Sequence, residues 1–357
     1  MIVEKWDLKK NVKFSELFDF RMARYSDLNS IMEFIRRFWS PNHILGNDKD
    51  FFLYEHGNCD GTINFIIAVN RITKEISCIQ GFIPYSRQKH VLHICGVMSK
   101  THPNNKVPLL GVETMSRMLH LLRPVTYCGI GTNPVTMLPL VKRFFKRHTG
   151  VMPHYYMLNK NLETFEIAVP NLHKESVLVA REKKHLGSFE LIQDFSDVVS
   201  LINLIKTSDN LPFKSLQYLK RRYFENPIHR YKVYRLRNRA GKPVSLFVTR
   251  EVCLNNSRIL HWVDYIGEID NIRKSQNAFE ALMLQERYEY IDCLCEGIHE
   301  SLFYSIGFNR KEHDGKTIIP SYFAPFVQRN IKIHFEKSDP NLIIFGGDAD
   351  ADRPSTH

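Results

Sequence analysis

Four groups of residues in this chain have types and spacings suited to chemistry. The first runs Asn104, Asn105, Lys106, Val107, Pro108, Leu109, Leu110, Gly111, Val112, out of a strand-like stretch and into a helix-like one. A helix start offers unpaired backbone N–H groups and the positive end of its dipole, so such a junction suits a phosphate. The turn that follows the next strand-like stretch presents Asn133 between Thr132 and Pro134. The second group is histidine. His43 lies just past the first helical pattern and His154 on a later strand-like run, and an imidazole titrates near neutral pH, as a general base must. The third is the tail GGDADADRP, where Asp348, Asp350 and Asp352 alternate ahead of Arg353. Alternate residues of an extended segment point to one side. These carboxylates could hold an ammonium or hydroxyls, and Arg353 a phosphate. The tail lacks the later glycine and terminal glutamate of a calcium loop, so no metal is expected. The fourth group mixes Tyr218, Tyr223, Phe224 and Tyr231 with Lys220, Arg221 and Arg222. Tyr223 could stack on a nucleotide base while Arg222 meets its diphosphate.

The elements that must position these residues repeat. Residues 18–23 read as a strand, Ser26 and Asp27 as a helix start, and Leu28, Ile31, Met32, Phe34, Ile35 and Phe38 as one apolar helix face. A hairpin over 62–70 and 75–84 leads to a strand at 91–97, a helix at 112–122, a strand at 125–129, a helix at 135–145 and a strand at 154–158 that closes the unit. The second half gives a strand at 188–193, helices at 195–205 and 216–224, and a hairpin over 231–236 and 243–252. A strand at 258–265, a helix at 275–288, a strand at 290–295 and a short helix at 300–305 complete it. The same order recurs at about half the chain length. The reading is an α/β chain of two domains, 1–165 and 188–357, joined by a Lys-, Glu- and His-rich connector at 166–187.

Composition narrows the function classes. The chain has 357 residues, 43% hydrophobic and 24% charged, which accommodates two ordinary cores. No apolar run is long enough for a bilayer, and the start lacks the apolar core of a signal peptide, so a cytoplasmic protein is expected. Seven scattered cysteines form no C-x-x-C pair and read as reduced, mostly buried thiols. A formal charge of +11 favours polyanionic partners, whether nucleic acid or small phosphorylated molecules. No RNP, zinc-finger or helix-turn-helix pattern is present, so nucleic acid is not the expected partner.

The segment FRMARYSDLNSIMEFI, the hairpin running into a strand, loop and helix, and the ending SLFYSIGF together resemble the GNAT superfamily, duplicated. The resemblance covers nearly the whole chain. It implies two tandem GNAT-like domains, each a mixed twisted sheet flanked by helices. It also implies acyl transfer from acyl-CoA to an amine in a ternary complex. On that likeness Asn105, Lys106, Val107, Leu109, Leu110, Gly111 and Val112 would meet the CoA pyrophosphate, and Asn133 matches the family asparagine beside the pantetheine gap. The loop is poorer in Arg and Gly than the family's. The tyrosine that commonly protonates the thiolate falls here near Val141, so the first domain lacks it, while the second has Tyr304. A narrower resemblance is to bacterial nucleotide-sugar N-acyltransferases of surface-polysaccharide pathways. It rests on Trp39 and His43-Ile44-Leu45, on NFIIAV, GFIP, VPLLG, GTNP and HYYMLN, and on the Asp-rich tail. It implies acetyl-CoA or a short hydroxyacyl-CoA as donor and a nucleotide-linked amino-deoxy sugar as acceptor, with the first domain binding CoA and the second contributing to the acceptor site. His43 is the first candidate base and His154 the second. Tyr223, Arg222, Asp348, Asp350, Asp352 and Arg353 are the candidate acceptor contacts, and the tail from Asp348 is expected to be dispensable for folding. A protein or peptide N-acyltransferase of the same fold and a non-catalytic nucleic-acid-binding protein are the alternatives.

Overall fold

The computed structural model describes residues 14–171, 187–323 and 325–349. Its strands are β1 (Phe18–Arg24), β2 (Thr62–Asn70), β3 (Ile76–Pro84), β4 (His93–Thr101), β5 (Thr126–Ile130), β6 (His148–Val151), β7 (His154–Leu158), β8 (Ser188–Ile192), β9 (Lys232–Arg237), β10 (Pro243–Leu254), β11 (Ser257–Gly267), β12 (Tyr290–Glu296), β13 (Asn309–Arg310), β14 (Tyr322–Phe323), β15 (Phe326–Val327), β16 (His334–Lys337) and β17 (Ile344–Phe345). The helices are α1 (Phe14–Leu17), α2 (Leu28–Phe38), α3 (Ile44–Asn47), α4 (Lys49–His56), α5 (Leu110–Leu122), α6 (Leu138–Phe145), α7 (Phe195–Ile202), α8 (Leu216–Leu219), α9 (Gln276–Glu286) and α10 (Glu300–Ser305). Among the described residues, no helix is long and apolar enough to cross a membrane.

The chain divides into two units. Among the described residues, unit 1 takes up 14–150 and His334–Pro340, and unit 2 takes up Val151–Ile333 and 341–349. The sheet of unit 1 runs β1-β2-β3-β4-β5-β16-β6. Its inner strands β2 and β3 are apolar on both faces because helices cover both. Ile63, Phe65, Ile67, Ile79 and Met98 pack with Leu28, Ile31, Ile35, Phe51 and Phe52 of α2 and α4. On the opposite face Ile66, Phe82, Ile94 and Tyr127 pack with Met115 and Met118 of α5 and Val141 of α6. The expected Ser26 cap of α2 is not formed. Asp27 instead takes both guanidinium arms of Arg21, at 2.6 and 2.8 Å, and the Arg24 N–H at 2.8 Å.

The sheet of unit 2 runs β13-β7-β12-β11-β10-β9-β8, with β17 on β12 as a branch. Leu246 and Val248 of β10 face Val198 and Leu201 of α7. Phe247 between them joins Trp262, Phe279 of α9 and Phe303 of α10 on the other face. Ring centroids in that aromatic cluster lie 4.9 to 5.8 Å apart, from Phe247–Trp262 to Trp262–Phe303. The helix expected over 216–224 is α8 followed by a π-helical turn, Lys220–Phe224.

Two strands depart from the expected partition. His154–Leu158 does not close the first sheet. It pairs antiparallel with β12 of unit 2, Tyr290 opposite Leu158 through Leu294 opposite His154. The first sheet is completed instead by β16, from late in the chain, with Phe335, Glu336 and Lys337 opposite Ile130, Gly129 and Cys128. The boundary near 165 therefore moves to 150/151, and most of the proposed connector, 172–186, lies outside the described residues.

Candidate functional site

In unit 1, β4 and β5 run parallel from His93/Thr126 to Gly96/Gly129 and no further. Against β3 the register slips at the same level: Gly81 faces Met98 while Phe82 faces Gly96, so Val97 is a bulge. A bulge bends its strand and leaves ladder groups unused. From Val97 to Thr101, β4 keeps β3 on one side, and no strand among the described residues pairs with it on the β5 side. The two strands thus part like a V.

The loop beside this opening leads into α5. Asn105 spans it, its Nδ2 donating to the Val107 carbonyl at 2.7 Å, and Lys106 is exposed. Leu109 sits in the left-handed region at φ 62°, costly for a branched side chain, and reverses the chain into the helix. No side chain caps α5, and the first backbone bond back into the loop is from Glu113 N–H to Leu109 O at 3.0 Å. The N–H groups of Leu110, Gly111 and Val112 are therefore first-turn donors. A Cβ at Gly111 would stand 3.1 Å from Thr101 Oγ1, so glycine lets the helix start lie against the end of β4. Leu110 and Val112 are buried anchors, and their contribution to a ligand site is their backbone. Asn133 is exposed, and its Oδ1 accepts the Val135 and Thr136 N–H groups, each at 2.9 Å. It caps the turn ahead of α6 rather than facing the V through that oxygen.

His43 is 5% exposed and serves as the N-cap of α3, its Nδ1 accepting the Leu45 N–H at 3.2 Å. Burial pushes its pKa down to about 4. With Nδ1 occupied, the neutral ring carries its proton on Nε2 and is a donor, which corrects its reading as a general base. His43→Ala is expected to cost about 1 kcal/mol of stability through the lost cap, while His43→Asn, a good cap, keeps both stability and turnover. Thermal melts beside a turnover assay check this, and a large loss of turnover in His43→Asn alone would restore the catalytic role.

The remaining candidates lie in unit 2. His154 is buried, with Nε2 2.7 Å from Asp292 Oδ2, and Asp292 Oδ1 pairs with His261 Nδ1. Burial, aided by Lys311, lowers His154 to about 4. Burial pushes the Asp292 carboxyl up, but the two imidazoles, His261 first, outweigh it and hold it low. Among these residues it is His261, with Asp292, Trp262, Leu294 and Ser321, that lines a small cavity. His154 sits behind the carboxylate as its fixed partner, not at a surface. The sequence reading missed His261 and Asp292 because they are 31 positions apart and meet only through the β11–β12 register, His261 opposite Asp292.

Tyr223, Arg222 and Asp348 form an interior network rather than an acceptor surface. Lys214, 8% exposed, reaches both Asp264 and Asp348 at 2.5 Å. Tyr223 donates to Asp264 at 2.5 Å. Arg222 donates to the carbonyls of Gly347 and Ala349 at 3.0 and 2.5 Å, and Asp348 accepts the Phe345 N–H at 2.7 Å. Two buried cations, Lys214 and Arg222, thus hold one buried segment, which corrects the expectation of a polar tail lying free for ligand. Asp350, Asp352 and Arg353 lie outside the described residues.

That segment also occupies the V of the second sheet. β11 and β12 pair from Leu260/Ile291 to Trp262/Cys293, after which β17 takes the β12 edge, Cys295 facing Phe345 and Glu296 facing Ile344. A Cβ at Gly347 would stand 2.6 Å from the Val263 carbonyl of β11, so only glycine passes here. The two sheets share one geometry and differ in what fills the opening. Among the described residues no group of three or more His, Cys, Asp or Glu side chains could hold a metal ion. The seven cysteines are all free.

No family model matches the sequence, and no curated protein matches it. Solved structures do. A protein of Enterococcus faecalis V583 described as a "Probable N-Acyltransferase" is similar with a TM-score of 0.52 and 9% identity, over 82% of this chain and 70% of that one. A GCN5-related N-acetyltransferase from Anabaena variabilis is similar with a TM-score of 0.50 and 8% identity, over 90% and 72% of the two chains. The chain has the mixed α/β fold of GCN5-related N-acetyltransferases, with two such sheets in tandem.

Proposed function

We propose that the protein is an acyl-CoA-dependent N-acyltransferase that binds its donor in unit 1 and transfers the acyl group to the amine of a nucleotide-linked amino-deoxy sugar. The observation that carries the donor reading is the contrast between the two openings: among the described residues no strand pairs in that between β4 and β5, whereas that between β11 and β12 is occupied by 344–347. The residues beside the open V fit CoA. The α5 first turn supplies N–H donors to a pyrophosphate, Lys106 adds charge, and the edge of Val97–Thr101 turned away from β3, unpaired among the described residues, suits the amide groups of a pantetheine arm. The acyl-CoA contributes the thioester; the chain contributes position and charge. The acceptor reading rests on the motifs from Trp39 to Leu45 and NFIIAV through HYYMLN, and on the cationic surface, which suits a nucleotide diphosphate.

The test is a thiol-release assay with acetyl-CoA and short hydroxyacyl-CoAs against dTDP-linked amino sugars and N-terminal peptide amines, with product mass measured. Acylated sugar supports the proposal. Acylated peptide alone moves the acceptor to protein, and no affinity for any acyl-CoA ends the reading. Lys106→Glu is expected to weaken CoA binding roughly 3- to 10-fold, with the difference shrinking in high salt, because Lys106 is exposed and screened. Calorimetric titration at two salt concentrations checks it, and unchanged affinity would move the pyrophosphate away from this loop.

A further inference from the structure

Glu336 is a carboxylate where a carboxylate is costly. It lies on β16, between β5 and the edge strand β6 of the first sheet, 2% exposed, and its Oε2 has no hydrogen-bond partner. Its register partner is Gly129, which is also the partner of Gly96 at the last rung before β4 and β5 part. Gly96, Gly129 and Glu336 therefore form one row across the sheet at the mouth of the V. Gly96 is needed there, and Gly129 makes room for a close neighbour. A Cβ at Gly96 would stand 2.1 Å from the Tyr127 hydroxyl, and one at Gly129 would stand 3.1 Å from Glu336 Cγ. Bare backbone lets the Tyr127 hydroxyl reach over β4 and the Glu336 carboxylate lie over β5. Tyr127 is two residues before Gly129, on the same face, and its hydroxyl hydrogen-bonds Glu336.

The groups facing this pair are few. Arg147, just ahead of β6, stacks over the Tyr127 ring at 4.6 Å. Cys95 of β4 and Cys128 of β5 are near enough to Tyr127 to act on it electrostatically. From α5 and α6, Met115, Met118 and Val141 pack in one cluster with Tyr127. Burial pushes the Glu336 carboxyl up to about 7, against the pull of Arg147 and the Tyr127 hydrogen bond. Such a carboxyl exchanges protons at neutral pH.

We propose that Glu336 is the general base of the acyl transfer and that Tyr127 carries the proton on to the departing sulfur. The inference rests on acyl-CoA binding in unit 1. The amine lone pair forms the N–C bond at the thioester carbonyl carbon. The nitrogen of the tetrahedral adduct loses its proton to the Glu336 carboxylate. Collapse breaks the C–S bond, the electron pair leaves with sulfur, and the Tyr127 hydroxyl protonates it. The Glu336 acid then returns its proton to the tyrosinate. One proton has moved from nitrogen to sulfur, and no other reactant is consumed. Tyr127 thereby supplies what Val141 cannot at the position where a tyrosine was expected.

The experiment uses the full chain, acetyl-CoA and a dTDP-linked amino-deoxy sugar. Glu336→Gln is expected to lower kcat roughly 10²- to 10⁴-fold with acetyl-CoA affinity within about twofold, and Glu336→Asp to recover part of the loss. Wild-type kcat should rise with pH through about 7 and level off, since the base works deprotonated, and Glu336→Gln should lack that limb. Wild-type turnover in Glu336→Gln, or a wild-type profile flat from about pH 6 to pH 8, overturns the assignment. The flat profile decides even where the variant fails to fold. A wild-type chain without affinity for acetyl-CoA would instead overturn the donor reading beneath it.

Discussion

Lys214→Met is expected to destabilise unit 2 by roughly 3–5 kcal/mol, the cost of breaking a buried ion pair from one side. Lys214 stands between Asp264 and Asp348, both fully buried and both 2.5 Å from its Nζ. Removing the ammonium leaves two carboxylates facing each other without the charge that offsets them. Tyr223 and the backbone N–H of Tyr265 and Phe345 remain as donors, and none is a cation. The pH dependence has a defined sign. Burial already pushes Asp348 up to about 6, with Asp264 adding to it and Lys214 pulling against it. Without Lys214 the carboxyl rises further, and the folded state then holds a proton that the unfolded chain releases. A raised acid pKa means stability is lost as pH rises, so the deficit should be smaller near pH 5 than near pH 8. Urea unfolding at both pH values measures this. An equal deficit at both, or none, would mean that the cluster does not carry the charge described.

A chain ending at Phe345 is expected to lose a comparable amount, about 3–5 kcal/mol. It keeps β17 but loses Asp348 and both carbonyls that Arg222 uses. Arg222 is 4% exposed, so its guanidinium would be left in the interior without those acceptors. At the size of unit 2 this corresponds to a melting temperature lower by roughly 6–20 °C. The test is calorimetry of the truncated chain beside the full one. Matching melting curves would make the tail the dispensable end that its composition suggests.

That composition misleads for an identifiable reason. Gly346, Gly347, Asp348 and Ala349 read as a polar, permissive end because small residues and a carboxylate usually face water. What holds them inside is Lys214 and Arg222, each more than 80 positions away and each ordinary in its own context. Local pattern served much better for the elements themselves. The hairpin strand Thr62–Asn70 and the helix Glu300–Ser305 have the bounds expected, because apolar periodicity and turn residues are local signals. His154–Leu158 was legible as a strand with those bounds, yet its sheet was not, since pairing register depends on distant partners. Within the site, the junction at Lys106–Val112 was readable from the strand–loop–helix order. Glu336 was not: β16 is four residues long and its one chemical signal, a carboxylate opposite a glycine, exists only once the sheet is assembled.

The late origin of β16 also sets an order of events at the ribosome. Its partner β5 ends at Ile130, while β16 ends at Lys337, about 207 residues later. At about 5–20 residues per second, the edge of β5 waits roughly 10–40 s for its neighbour. Throughout that interval a nascent chain carries an incomplete first sheet with an open strand edge, the feature that invites pairing with other chains. A fragment ending near residue 150 would keep that edge permanently. Completion of the first sheet is thus timed by synthesis of β16, and an enzyme relying on Glu336 stays inactive until that strand has been made.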